Sequence, residues 1–408
     1  MKTQSTTTPV IVGVIICISA HLGFSQTANQ DYKATSGRKY DVAAFIWPSY
    51  HPDDRAKIFW PMGIGEWETV LFNKRLFEGT EPPRHPVWGY INEADPYVMQ
   101  MQIDAAADHG INVFIFDWYW YDGMPFLQGC LDDGYLKAKN NDRVRFYVMW
   151  ANHDVPMIWD KRNADDAMNK KNKALIWRGG VNLDEFRKIA KLTMTKYFSQ
   201  PSYYKIDGKP VYMIYDLPTF VNGIGGPSKA KEALDWFRSE VAKAGYKGLE
   251  LQVVLHGDSS HIVTDASDEH ALTQRELVKF LCIDSVTHYQ FVSFLNVDRE
   301  YDDVIKDAKG AWEEASKSYS AKYYPQVSIG WDNSPRTVER VAEMVKNNTP
   351  EKFEKALLSA RDFIDAHPGQ APLITINSWN EWTEGSYLQP DDRYGYGYLD
   401  AVKHAFKN

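Results

Sequence analysis

The chain has 408 residues, 44% hydrophobic and 25% charged, proportions that allow a large buried core and exclude a disordered chain. Lys and Arg total 46 against 54 Asp and Glu, a net charge of −8 with no long basic run, so nucleic acid is not an expected partner. The 14 Trp, 24 Tyr and 19 Phe are more rings than packing alone needs, and many are available to line a pocket.

At the N-terminus, Lys2 precedes an apolar run from Val10 to Ala20 that is too short to span a bilayer, and the small residues Gly23 and Ser25 stand before Gln26. This pattern predicts a signal peptide, residues 1–25, and an exported chain, periplasmic or secreted. Cys17 leaves with the signal, and the Val14, Ile15 and Ile16 before it differ from the small residues of a lipoprotein site, so the mature chain is expected without membrane insertion or a lipid anchor. Residues 26–39 read as an extension and 40–408 as the folded domain. Cys130 in an expected helix and Cys282 in an expected buried strand read as two buried free thiols.

Short apolar, β-branched or aromatic runs then recur at 41–48, 112–119, 144–152, 211–216, 249–257, 282–289, 324–333 and 373–382. Each is continuous rather than alternating, as parallel strands covered on both faces should be. Segments with helical spacing lie between them: 95–108, opened by Asp95-Pro96; 183–199; 227–244; and 336–366, read as two helices broken near Pro350. Eight such units predict a single (β/α)8 TIM barrel with long βα loops at 49–94 and 153–181, and no second domain is needed.

In a barrel of this kind the active site forms at the carboxyl ends of the strands. Here those ends carry Trp47, Tyr50 and His51; Asp117, Trp118 and Tyr119; Trp150 and Asn152; Tyr215 and Asp216; His256 and Asp258; His288 and Tyr289; Trp331, Asp332 and Asn333; and Trp379, Asn380, Glu381 and Glu384. Polar groups beside so many rings describe a cleft for sugars, whose C–H faces pack on aromatic rings while their hydroxyls need carboxylates, amides and imidazoles. An oligo- or polysaccharide is the expected partner.

The sharpest local pattern is Trp379-Asn380-Glu381-Trp382-Thr383-Glu384-Gly385. Two carboxylates three residues apart enter one pocket if the chain turns between them, and Gly385 permits that turn. Glycosidic cleavage needs such a pair, a proton donor for the departing oxygen and a second carboxylate as base or nucleophile. Trp379 and Trp382 would desolvate the acid and raise its pKa. A lone E-x-x-E is also common on solvated helix faces, so its place at a strand end is what gives it weight.

The segment from Ile376 to Gly385 resembles the terminal-strand motif of glycoside hydrolase family 99, the endo-α-mannosidases. Trp47-Pro48-Ser49-Tyr50-His51-Pro52, Gly63-Ile64-Gly65-Glu66-Trp67, Tyr119-Trp120-Tyr121-Asp122-Gly123, Trp150-Ala151-Asn152 and Trp331-Asp332-Asn333-Ser334-Pro335-Arg336 look more like the related WbsX-type proteins. The resemblance runs over about residues 40–400 in order. It implies that Glu381 deprotonates the substrate's own 2-hydroxyl, which attacks C1 to give a 1,2-anhydro sugar, and that Glu384 is the general acid/base. A direct carboxylate nucleophile is the alternative route. The 1,2-anhydro route needs O2 trans to the leaving group, as in α-mannosides and α-rhamnosides. Thr383 stands where the endomannosidases usually have His, and His153 where WbsX-type chains often have Glu, which leaves the sugar open.

The expected substrate-binding residues are Tyr50, His51, Glu66, Trp67, Trp118, Trp120, Trp150, Asn152, Tyr215, His256, Trp331, Asp332, Asn333, Asn380 and Trp382. Glu66 reads equally as the partner of an arginine, Arg75 or Arg84, that pins its loop, and Asp332 and Asn333 as turn residues bonding backbone amides. Trp118 and Trp120 are read as pointing to opposite sides, one of them toward sugar. No H-E-x-x-H or other close ligand spacing predicts a catalytic zinc, a structural calcium on loop Asp residues stays open, and no G-x-G-x-x-G or P-loop pattern predicts a nucleotide cofactor, so none is expected. Three functions fit: an exported retaining glycosidase on α-linked glycans, a glycosyltransferase of WbsX type, and a barrel that binds glycans without cleaving them.

Overall fold

The computed structural model describes residues 39–72, 83–156, 159, 175–257, 272–336 and 343–406, all within one compact unit, Tyr32–Asn408. The expected signal and extension up to residue 38, Arg75, Asp258 and parts of both long loops lie outside the described residues.

Among the described residues eight parallel strands form the barrel wall: β1 (Asp41–Ile46), β2 (Val113–Tyr121), β3 (Arg145–Trp150), β4 (Lys209–Ile214), β5 (Glu250–Leu255), β6 (Ser285–His288), β7 (Gln326–Ser328) and β8 (Leu373–Asn377). Hydrogen-bonded neighbours run β6, β5, β4, β3, β2, β1, β8, β7. Closure falls at β7, which begins as a separate two-residue piece, Lys322–Tyr323, paired to β6, while Gln326–Ser328 pairs to β8. Pro325 lies between the two pieces, and a residue without an N–H is a natural place for a ladder to change partner. The fold is therefore the expected (β/α)8 barrel.

The strands match the apolar runs because every residue of β1, β2 and β5 is buried, as covering on both faces requires. The interior also takes matched polar groups. Tyr147 Oη donates to Gln252 Oε1 at 2.9 Å, and the Thr287 and Thr375 hydroxyls bond across the barrel at 2.9 Å.

The helices start where their caps are. The Asp95 side chain accepts from Tyr97 N ahead of Pro96–Asp108, and Asn182 caps Leu183–Leu192, which continues as a wider π turn over Thr193–Phe198. Pro227–Lys243 falls as expected. Of the two helices read in 336–366, the second is present and starts at the expected break: Thr349 caps a helix that begins at Pro350 and runs to Ala366, while residues 343–349 are not helical and Lys346 bridges to Glu300. Residues 337–342 lie outside the described residues. Cys130 is buried, but Cys282 is exposed and precedes β6 rather than lying in it, and neither forms a disulfide. Among the described residues no helix is long and apolar enough to cross a membrane.

Candidate active site

Past β8 the chain makes a short antiparallel ribbon in which Asn380 pairs with Tyr387 and Glu381 with Ser386. Between them Trp382–Glu384 forms one 3-10 turn, closed by Gly385 at φ 61. That left-handed conformation favours glycine, and a Cβ there would come within 3.2 Å of the Asp332 Cβ. The turn is pinned from several sides. Glu381 N donates to Ser378 Oγ at 2.8 Å, Trp382 N to Tyr50 Oη at 3.2 Å, and Asp332 N to the Glu384 carbonyl at 2.7 Å.

Both glutamates are thereby brought to one cavity of about 230 Å³ at the mouth of the barrel. Trp47, Tyr119, Trp159, Tyr215 and Tyr289 supply its rings, with His153, Met149 and Ala151 beside them and Asp117 and Arg336 as its other charged-type groups. Arg336 is the hub. Its Nε donates to Glu66 Oε1 at 2.8 Å, its Nη1 to Glu384 Oε1 at 2.7 Å, and its Nη2 to Glu381 Oε2 at 3.1 Å. Glu66 also accepts from Ser49 Oγ, Thr383 Oγ1 and the Trp47 indole.

Burial pushes the carboxyls of Glu381 and Glu384 above the usual range, and their mutual repulsion adds to this at Glu381. The Arg336 guanidinium pulls both back and is itself held charged by the three carboxylates around it. Gln290 Nε2 donates to Asn377 Oδ1 at 2.7 Å and also favours the ionised form of Glu384, whose Oε2 is buried with no partner at hydrogen-bond distance. A second buried carboxyl, Asp117, accepts from Tyr289 Oη at 2.9 Å, and the same hydroxyl lies 3.2 Å from Glu381 Oε1.

Of the sequence-derived residues, Glu381, Glu384 and Tyr215 line this cavity, and Glu66 reaches it through Arg336. The arginine-partner reading of Glu66 has the right chemistry with a different arginine. Trp331, Asp332 and Trp382 border a separate, larger cavity of about 290 Å³ on the far side of the turn, with Arg84, Tyr387 and Tyr394. The carboxylate pair marks the smaller cavity as the chemical one. Asp332 Oδ1 accepts from Ser334 N at 3.0 Å, a turn role, and the neighbouring Asn333 carbonyl accepts from Arg336 N at 3.0 Å.

The remaining residues build the walls from behind. Tyr50 supports the turn and packs on Trp67 with ring centres 4.2 Å apart. His51 is buried, and the loss of solvent lowers its pKa to about 4, which keeps it neutral. Asn380 bonds both backbone groups of Trp47 at 2.8 Å, and Asn152 bonds both of Asp216 at 2.7 and 2.8 Å. His256 Nε2 meets the Tyr215 carbonyl at 2.9 Å.

The opposite-sides reading of Trp118 and Trp120 is corrected. Residues two apart on a strand share a face. Both indoles turn to the helix layer, Trp118 to Tyr197 Oη at 3.0 Å and Trp120 to Glu185 Oε2 at 2.9 Å, while Asp117 and Tyr119 face the cavity. Trp150 likewise packs on Phe186 and Phe220. Asp117, Tyr119 and Tyr289 stood among the strand ends but not among the chosen residues, and Arg336 only inside a motif. Period-two counting from either indole in β2 would have selected Asp117 and Tyr119.

A (β/α)8 barrel with a carboxylate-rich, ring-walled pocket at its C-terminal mouth is thus the class of protein that fold and site define. The sequence pattern of the family described as Glycosyltransferase WbsX matches residues 42–402, and the chain belongs to that family. It is 26% identical over 370 residues to an uncharacterized protein, WxcX, of Xanthomonas campestris pv. campestris, covering 89% of this chain and 49% of WxcX, so the chain spans about half the length of that curated relative. Among solved structures it resembles a GH99 endo-alpha-mannosidase from Bacteroides thetaiotaomicron, with TM-score 0.54 and 14% identity over 89% of this chain and 96% of that one. It also resembles a glycoside hydrolase-like protein, with TM-score 0.55 and 18% identity over 95% and 98%. At these identities the likeness is one of fold.

Proposed function

We propose that the protein is an exported, retaining glycoside hydrolase that cleaves α-linked glycans of mannoside or rhamnoside type. The observation that carries this reading is the delivery of Glu381 and Glu384 by one turn into a single ring-walled cavity. Glu381 takes the proton of the substrate 2-hydroxyl as O2 closes on C1, and Glu384 gives its proton to the departing oxygen. Water then opens the 1,2-anhydro sugar, with Glu384 accepting a proton from the water and Glu381 returning one to O2, so the anomeric configuration is retained.

These roles need Glu381 ionised and Glu384 protonated. Arg336 contacts both, more closely at Glu384, so a substrate hydroxyl that draws Arg336 away from Glu384 Oε1 would free that carboxyl to take its proton. The fold likeness to an endo-alpha-mannosidase supports the substrate class, and the N-terminal sequence pattern supports export.

The test is incubation with a panel of α-mannosyl and α-rhamnosyl glycans, following products by mass and by anomeric NMR. A product released with retained configuration by the wild type, and not by Glu384→Gln, is the expected result; inverted configuration would remove the 1,2-anhydro route. The family description favours a second reading, glycosyl transfer. Supplying a nucleotide sugar and an acceptor glycan distinguishes it, since consumption of the nucleotide sugar without hydrolysis of any panel glycan would replace the first reading.

A further inference from the structure

Tyr289 Oη stands between two carboxyls, 2.9 Å from Asp117 Oδ2 and 3.2 Å from Glu381 Oε1. A phenol has one proton to donate, so a second contact of this kind is a hydrogen bond only if the other partner donates back. Sharing one O–H between two ionised carboxylates would leave two like charges buried together. The trio therefore holds one proton beyond the phenol's own.

Its location follows from what else each carboxyl touches. Burial and the neighbouring Glu384 raise the Glu381 carboxyl well above its usual range, and the Arg336 guanidinium on Oε2 opposes this by favouring the ionised form, a cation contact that Asp117 lacks. Asp117 is 3% exposed, and among the described residues it makes no ion pair. Its Oδ1 is buried with no partner, an arrangement costly for a carboxylate and mild for a carboxylic acid. The groups acting on it directly are the phenols of Tyr119, Tyr215 and Tyr289 and the carboxyls of Glu381 and Glu384; Arg336 and His153 line the same cavity, but the Arg336 guanidinium is taken up by Glu66, Glu381 and Glu384. Burial, with the Glu384 charge, drives Asp117 well above its usual range toward the protonated form, and the Tyr289 hydrogen bond opposes this only in part.

We propose that Asp117 is a positioning residue that, through Tyr289, holds the proton Glu381 must lack and so maintains Glu381 as the ionised base. When the proton is on Glu381, Glu381 Oε1–H passes to Tyr289 Oη as Tyr289 Oη–H passes to Asp117 Oδ2. Two O–H bonds break, two form, and the charge of the trio is unchanged. Tyr289 then donates to Glu381 and accepts from Asp117. The role of Glu381 as base rests on the glycosidase reading; the position of the proton does not.

Infrared difference spectroscopy on the full chain at neutral pH tests this without a substrate, so its outcome is separate from that of the glycosidase reading. Wild type minus Asp117→Asn should show the loss of a protonated carboxylic-acid C=O stretch, and wild type minus Glu381→Gln the loss of carboxylate bands. Loss of carboxylate bands in the first spectrum, or of the acid band in the second, would overturn the assignment. If Asp117→Asn does not fold, the Glu381→Gln spectrum decides alone.

With a turned-over glycan in hand, the acid limb of kcat/KM gives a second readout. In Asp117→Asn the amide N–H replaces the acid O–H and the limb should stay in place. In Tyr289→Phe, Glu381 loses a hydrogen bond to its charged form and the limb should rise by about one pH unit. Were Asp117 ionised, its replacement would remove a neighbouring negative charge and move the limb to lower pH, which would sink the proposal.

Discussion

Asn380 and Glu381 are consecutive on one short strand, yet they belong to two different buried polar clusters. Glu381 turns to the cavity and joins Arg336, Glu66 and Glu384. Asn380 turns the other way, toward Glu93, Gln389 and Gln102. In the second cluster both Glu93 oxygens are matched, Oε1 by Gln389 at 3.0 Å and Oε2 by Asn380 at 3.0 Å, Gln102 Nε2 alone among its named groups is left without a partner at hydrogen-bond distance, and Glu93 lines neither of the two cavities described above. In the first, Glu384 Oε2 and Asp117 Oδ1 have no partner and their residues line a cavity. Buried polarity that is matched specifies how the turn packs, whereas buried polarity left unmatched at a cavity wall is available to a substrate.

The comparison breaks first, and hardest, on turnover. Glu384→Gln should lower glycan turnover on the order of a hundred- to ten-thousandfold, the usual contribution of a general acid, with the larger losses on substrates with poor leaving groups. Glu93→Gln, at a buried carboxyl of the other cluster, should stay within a few-fold of wild type. Initial rates on the same glycan decide this, and equal losses would erase the distinction between the clusters.

Arg336→Met attacks the charged cluster through stability. It leaves Glu66, Glu381 and Glu384 without their shared cation, and removing one partner of a buried ion pair costs about 3 kcal/mol or more. Glu381 and Glu384 already have folded pKa values above their unfolded ones. Without Arg336 those values rise further, so the folded state binds still more protons than the unfolded state over that range and its stability falls as pH rises. Denaturant unfolding should therefore show a larger deficit for the variant at pH 8 than at pH 5; a deficit independent of pH would point to lost packing instead.

Glu93 gives the matched cluster a pH signature of its own. Burial raises its carboxyl to about 7 from an ordinary value of 4.5. A raised folded pKa means that its contribution is fully present below the unfolded pKa and is lost as pH rises through the folded one, here between about 4.5 and 7. The full shift corresponds to at most about 3 kcal/mol. Glu250 is raised to about 7 as well, but it is the same in both proteins and cancels in the difference. Relative to wild type, Glu93→Gln should thus gain stability across that window, partly offset by turning one amide N–H toward Asn380 or Gln389. A constant difference from pH 4 to pH 8 would show that Glu93 ionises as easily folded as unfolded.

What the sequence disclosed and what it did not divide along the same physical line. The strands were legible because burial on both faces writes a continuous apolar run into each, and Glu381 and Glu384 because they sit together in one motif at a strand end. Arg336, Asp117 and Tyr289 come from the loop after β7, from β2 and from the end of β6, and they meet only because the barrel closes. Spacing along the chain carries no trace of that meeting. The abundance of rings misled in a specific way: Trp118, Trp120 and Trp150 serve the contact between strands and helices, so aromatic content reported packing as much as pocket. The break at Pro325 and the non-helical 343–349 depend on which strand each piece pairs with, a tertiary matter.

Trp118 supplies the smallest effect and the sharpest check on which face of β2 does the chemistry. Its indole N–H donates to Tyr197 Oη at 3.0 Å, on the side away from the cavity, and Tyr197 keeps a second contact to Asp132 Oδ1 at 3.1 Å. Trp118→Phe removes one hydrogen bond and part of a ring from a buried site, about 1–2 kcal/mol of stability, while Tyr197 stays matched by Asp132. Turnover should not change. Tyr119→Phe, one residue on and facing the cavity, keeps the packing ring and loses only a hydroxyl, so its effect should fall on kcat or KM with little change in unfolding midpoint. If the two variants exchanged these signatures, the register of β2 relative to the cavity would be one residue off, and Asp117 would point at the helices instead of at Tyr289.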